Sequence, residues 1–149
     1  MKYSDFIQEA GLNPADFRGA FAFGNDGEVI TDPQMADDLA REVLSGRKTA
    51  TASAVEGYTE DEPMPTVDGK FDIVLNGKGQ PIAAVTNSKV YQTTFDKVTA
   101  EHAYKEGEGD LSLAYWRQAH EEFWRQFGLF RPDMPVLCEE YEILYRKDK

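Results

Sequence analysis

Met35, Ala36, Leu39, Ala40, Val43 and Leu44 recur at helical spacing, and the signals that should bound such a helix flank them. Asp32-Pro33 offers an N-cap followed by proline at the first helical position, and Gly46 supplies the stop. A shorter helix is expected over residues 4–10, ended by Gly11, with a turn at Asn13-Pro14. Phe21 and Phe23 precede the turn-rich Gly24-Asn25-Asp26-Gly27. From Thr49 the pattern changes from period 3.6 to period 2. An extended backbone there puts Thr49, Thr51 and Ser53 on one face and Ala50, Ala52 and Ala54 on the other, with little side-chain bulk on either.

An acidic, proline-rich loop through Glu60-Asp61-Glu62-Pro63-Met64-Pro65 follows. Its acids read as a solvated connection or as a gate over a cleft. Phe71-Asp72-Ile73-Val74-Leu75 and Pro81-Ile82-Ala83-Ala84-Val85 flank Asn76-Gly77-Lys78-Gly79, which predicts a hairpin whose second strand continues toward Val90 and Tyr91. A short helix is expected over 95–103, broken by the glycines of Glu106-Gly107-Glu108-Gly109. Asp110 is the expected cap of a long amphipathic helix on which Leu113, Trp116, His120, Phe123 and Phe127 share one face. A last strand over 136–145 closes the chain. Strands and helices interleave without a regular βαβ rhythm, so the expected class is α+β with a mostly antiparallel sheet or small barrel.

Composition narrows this picture. With 149 residues, 41% hydrophobic and 12% aromatic, the chain can bury a core as one domain, residues 1–149, without disulfide staples. Sixteen Lys and Arg stand against 27 Asp and Glu, a net charge of −11. Such a chain repels polyanions at long range, which argues against a broad basic surface for long nucleic acid but not against an uncharged nucleoside. No apolar run reaches the ~20 residues of a bilayer span and the first residues lack a signal-peptide core, so the expectation is a cytoplasmic protein with no membrane partner. Cys138 is the only cysteine and, within Val136-Leu137-Cys138, reads as a buried core thiol.

The candidate chemistry centres on Lys48, at the mouth of the hydroxyl row. Lys48 and Thr51 are three residues apart, so they converge only if the backbone bends between them, and Gly46 makes a bend available. A partly buried lysine is a possible base for a neighbouring hydroxyl attacking an acyl carbon; a solvated lysine at a helix C-terminus fits the same residues. Glu106, before a glycine in a helix break, is either a carboxyl whose pKa burial raises, able to give and take a proton, or a solvated helix stop. His102 has no nearby Cys or His at metal-binding spacing, and no metal is expected. His120 reads as a core histidine, Trp116, Trp124 and Phe127 as core rather than a stacking platform, and Tyr58 as a weak stacking candidate.

Several of these segments together resemble the ASCH-domain family. They are Phe23-Gly24, the helix carrying Met35 and Leu44, Gly46-Arg47-Lys48-Thr49-Ala50-Thr51-Ala52-Ser53, Glu106-Gly107-Glu108-Gly109-Asp110, Tyr115-Trp116-Arg117 with His120, and Cys138-Glu139. The resemblance covers residues 21–145, leaving 1–20 as a helical extension, and implies a PUA-like barrel with flanking helices and a cleft lined by the glycine-x-lysine segment. Within that family, an amidohydrolase removes the acyl group from N(4)-acetylcytidine with a lysine, a threonine and a glutamate. Its Gly-Arg-Lys-Thr-x-Thr motif matches Lys48 and Thr51, and its glutamate after His-Ala-x-x matches Glu106. The resemblance thus implies Lys48 as base, Thr51 as nucleophile and Glu106 as proton shuttle, with no metal or organic cofactor. Ser53 stands where that enzyme has an arginine, and Ser53, Tyr58, Trp116 and His120 are the candidate substrate contacts. Other family members of this size resemble single-strand-specific ribonucleases. The partner is therefore a small nucleoside or a short single-stranded RNA, and a non-catalytic module for RNA or a modified base is the third reading.

Overall fold

The computed structural model describes residues 1–147. Helix α1, Tyr3–Ala10, ends at Gly11 in the left-handed region. Eight residues are too few for an isolated helix. Its place is fixed by Phe6 and Ile7, buried against Phe71, Ile73 and Leu75, each side chain contributing roughly 1.5–3 kcal/mol. The chain then enters strand β1, Phe17–Phe21. The segment expected to be a helical extension therefore donates a strand to the sheet.

Helix α2, Pro33–Leu44, starts as expected, with the Asp32 carboxylate accepting from the Met35 amide. Strand β2, Ala50–Ala54, is followed by β3, Phe71–Leu75, and β4, Pro81–Thr94. The turn between β3 and β4 is closed by the Asn76 side chain, which accepts from the amides of Lys78 and Gln80. The expected helix over 95–103 is two elements. A short 3-10 turn, Phe95–Lys97, gives way to extended Val98 and Thr99, and Thr99 caps α3, Ala100–Glu106, by accepting from the His102 amide.

Helix α4, Leu113–Gln126, is capped by Ser112 and not by Asp110, because Leu111 takes a positive φ and the helix starts two residues later than expected. Asp110 instead accepts from the Ser112 amide. Phe127, expected on the buried face of this helix, lies beyond its last residue and is 61% exposed. Strand β5, Pro135–Arg146, completes the fold.

The five strands form one sheet in the order β1-β3-β4-β5-β2. All pairs are antiparallel except β1 with β3. The α+β class and PUA-like arrangement stand, but the sheet is open and not a barrel: β1 and β2 are its two edges. Around the central β4–β5 pair lie three apolar clusters. One joins Phe95, Trp116, Trp124, Met134 and Cys138; one joins α1 to β3; one joins Phe23 and Val43 to Val74 and Tyr141. The alternation expected for β2 holds, with Ala52 and Ala54 against the Trp116 cluster while Thr51 and Ser53 stay half-buried. Among the described residues no helix is long and apolar enough to cross a membrane.

Candidate active site

Gly46, at φ 83°, turns the chain out of α2, and the amides of Arg47 and Lys48 both fold back onto the Glu42 carbonyl. This turn delivers the Lys48 side chain inward. From the other side Thr49 N donates to Lys105 O at 2.8 Å, stitching the segment to the end of α3. Gly107 makes that approach possible. It has φ 73°, and a Cβ there would sit 2.4 Å from the Arg47 carbonyl oxygen, an impossible contact. The glycines on either side of the site thus allow two chain segments to meet where an ammonium and a carboxylate must touch.

Lys48 is 1% exposed. Its Nζ donates to Ala50 O at 3.0 Å, to Glu106 O at 3.4 Å and to Glu108 Oε2 at 3.0 Å, and lies 3.6 Å from Glu106 Oε1. The solvated-lysine reading is thereby excluded. Glu106 is equally buried and more densely held. Its Oε2 accepts from Trp116 Nε1 at 2.6 Å and lies 2.6 Å from His102 Nε2, while its Oε1 faces His120 Nε2 at 3.4 Å.

Burial by itself raises the Glu106 pKa, as the sequence led us to expect. The cations His120 and Lys48 and the hydrogen bond from His102 outweigh it and hold the carboxyl well below its ordinary range. Glu106 is accordingly an ionised anchor, which corrects the expectation of a carboxyl poised to trade protons. Trp116 is also corrected: it is 2% exposed, and its indole N–H fastens Glu106 instead of facing the cleft.

His102 pairs with Glu106 four residues on, along one face of α3. Burial would lower its pKa, but Glu106 and the nearby Cys138 sulfur raise it from 6.5 to about 9. Nδ1 of His102 makes no hydrogen bond, so the Glu106 contact is the part of this rise that the geometry supports. A histidine whose folded pKa is raised adds stability that is complete below about pH 6.5 and is lost as pH climbs through about 9. Chemical denaturation at pH 6.5 and 9.5 should show a loss on the order of 1–3 kcal/mol. His102→Gln should flatten that difference, and an unchanged slope in the variant would assign the loss to other groups.

Lys48, Thr51 and Glu106 line one cleft of about 1110 Å³, together with Ser53, Tyr58 and His120. Thr51 Oγ1 makes no hydrogen bond with Lys48 Nζ; the bend after Gly46 brings both to the same cleft without joining them. Ser53 Oγ and the Tyr58 hydroxyl are 2.7 Å apart, and burial raises the Tyr58 pKa. Their neighbour Glu139 stands directly opposite Thr51 across the β2–β5 pair, and burial raises its carboxyl pKa. Asn87 Nδ2 donates to Glu139 Oε2 at 3.1 Å and to the Thr66 carbonyl, which ties the 57–70 loop to the sheet.

Four residues of this site escaped the reading of the sequence. His102 was legible from its i,i+4 spacing to Glu106, and Glu108 from its place in the same glycine-bracketed run. Glu139 and Asn87 needed the strand register.

The lining carries nine carboxylates against two permanent cations. Both cations are already paired, Arg18 with Asp68 and Asp72, and Lys48 with Glu106 and Glu108. The acids of the 60–65 loop belong to this lining only through Glu62. Among the described residues no group of three or more His, Cys, Asp or Glu is arranged to hold a metal ion.

The model of the ASCH domain family matches residues 21–145. This chain belongs to the ASCH-domain family. Two solved structures agree. An ASCH domain from Lactobacillus crispatus is 29% identical with a TM-score of 0.80, over 96% of this chain and 94% of that one. A protein from Enterococcus faecalis is 31% identical with a TM-score of 0.75, over 95% of this chain and 84% of that one. No curated protein matches this chain. For this ASCH protein, family membership supports an RNA-related or hydrolytic role at that coarse level.

Proposed function

We propose that this ASCH protein hydrolyses the acyl amide of an N(4)-acylated cytidine-type nucleoside. The observation that carries the reading is the cleft itself. It holds a buried ammonium, a hydroxyl free of any bond to that ammonium and an ionised carboxylate, inside a lining whose carboxylates far outnumber its cations. Thr51 attacks the acyl carbon, and Lys48 takes its proton. All three donor directions of Nζ are occupied, so to act as a base Lys48 must first give up a proton, and Glu108, the more exposed of its two carboxylates, lies 3.0 Å away to receive it. Regaining a proton from Thr51 restores the ammonium as negative charge builds on the acyl oxygen, which is when a nearby cation helps most. Ser53, Tyr58, Asn87 and Glu139 supply the polar wall that an uncharged heterocyclic base would meet.

A phosphodiester would enter this cleft against nine carboxylates with no unpaired lining cation, so cleavage of RNA is the weaker reading. Incubating the pure protein with N(4)-acetylcytidine and, separately, with a short single-stranded RNA in chelator distinguishes them. Cytidine and acetate should appear in the first reaction, and the RNA should remain intact. Lys48→Met should reduce cytidine release at least a thousandfold; unchanged turnover would remove Lys48 from the chemistry. RNA cleavage that weakens steeply with salt would overturn the amide reading.

A further inference from the structure

Amide hydrolysis needs a proton for the departing nitrogen, and Glu106, held ionised, is a poor donor. The geometry points to His120 as the general acid that protonates the leaving amine, an inference that rests on the amide reading above. Its Nδ1 lies 2.8 Å from the Trp116 carbonyl oxygen, four residues back along α4. A carbonyl can only accept, so Nδ1 carries hydrogen and the tautomer is fixed. That leaves Nε2 as the one nitrogen that can change its state. It faces Glu106 Oε1 at 3.4 Å, and the residue lines the same cleft as Thr51.

With Nδ1–H fixed, a neutral ring would turn a lone pair toward the Glu106 carboxylate, whereas the imidazolium turns an N–H toward it. The charged groups facing His120 are Glu106 at the end of α3, Glu108 in the following turn, and Lys48 beyond Glu106. Burial opposes the charged ring, and the two carboxylates with the Trp116 carbonyl more than offset it, so its pKa rises above 6.5. The ring is also held flat on the Trp116 indole, 4.2 Å between centroids at 20°. The contact of 3.4 Å is long for a hydrogen bond, so the Nε2 proton is loosely engaged and free to move to an acceptor in the cleft.

Thr51 oxygen bonds to the acyl carbon, the C–N bond breaks, and the nitrogen takes the Nε2 proton to leave as a neutral amine. His120 remains neutral with Nδ1–H on the carbonyl. In deacylation Nε2 takes a proton from water, hydroxide adds to the ester carbon, and Thr51 leaves with a proton from the Lys48 ammonium. The products are a carboxylic acid and an amine, the imidazolium is restored, and Lys48 ends as the neutral amine beside protonated Glu108, the state from which it took the Thr51 proton.

The test compares acyl groups on leaving groups of different basicity. Turnover of N(4)-acetylcytidine by the wild-type protein should fall as pH rises through the His120 pKa, because the acid form is required. The first-turnover burst of 4-nitrophenolate from 4-nitrophenyl acetate, whose leaving group needs no proton, should lack that limb; this comparison requires no variant. His120→Gln should slow amide turnover 100-fold or more and abolish its basic limb, while the first-turnover burst of 4-nitrophenolate, which reports acylation alone, changes less than threefold. Equal loss on both substrates, or a basic limb that survives in the variant, would overturn the role of His120. Absence of any wild-type amide turnover would instead overturn the functional reading, and the inference with it.

Discussion

Thr51→Val should abolish release of cytidine from its acetylated form while leaving the melting temperature within about two degrees of wild type. The two side chains have nearly the same shape, so the variant removes an oxygen and little else. Loss of a nucleophile costs at least about three orders of magnitude in turnover. Stability should hold because Thr51 is half-buried and its hydroxyl makes no hydrogen bond with Lys48 that the variant would break. Valine also suits a strand flanked by the residues of β5. Rates measured beside a thermal melt decide the matter. Full activity in a well-folded variant would mean that water attacks directly and that Thr51 is only part of the wall.

Glu106→Leu should be the most destabilising single change in the cleft. One carboxylate serves Trp116, His102, His120 and Lys48, all of them buried or nearly so. Removing it strands three donors at once, since only Lys48 retains a second carboxylate, Glu108. Breaking a buried pair by deleting one partner costs about 3–5 kcal/mol, and the shared acceptor puts this case at the upper end. Urea denaturation at pH 7 measures it. The pH dependence assigned to His102 should shrink in the same variant, because one of the two groups that raise its pKa is gone. A loss below about 1 kcal/mol would show that the network stores little stability.

The elements of the fold were written in local chemistry. Asp32-Pro33 announced α2, Asn76-Gly77 the β3–β4 turn, and the Thr/Ala alternation the two faces of β2. The errors were local as well. Asp110 and Ser112 are both good caps, and the positive φ of Leu111 decides between them. Phe127 fits the helical spacing but falls one residue past the helix end. An open sheet and a closed barrel share the same strand patterns, and only the pairing order separates them.

The candidate site was legible where motif and spacing coincide, at Lys48, Thr51 and Glu106. The protonation state of Glu106 was not, because it depends on donors from β2's approach, α3 and α4 that meet only in three dimensions. Glu139 became visible once its cross-strand pairing with Thr51 was known.

The negative lining has a bearing on what leaves as well as on what enters. Cutting a neutral amide converts an uncharged guest into an amine and a newly formed anion. Surrounded by like charge, the anion is driven out toward bulk water, and rebinding from solution is disfavoured. The cleft would in this way discard its own acid product, and turnover would proceed without the accumulating carboxylate clogging the enzyme.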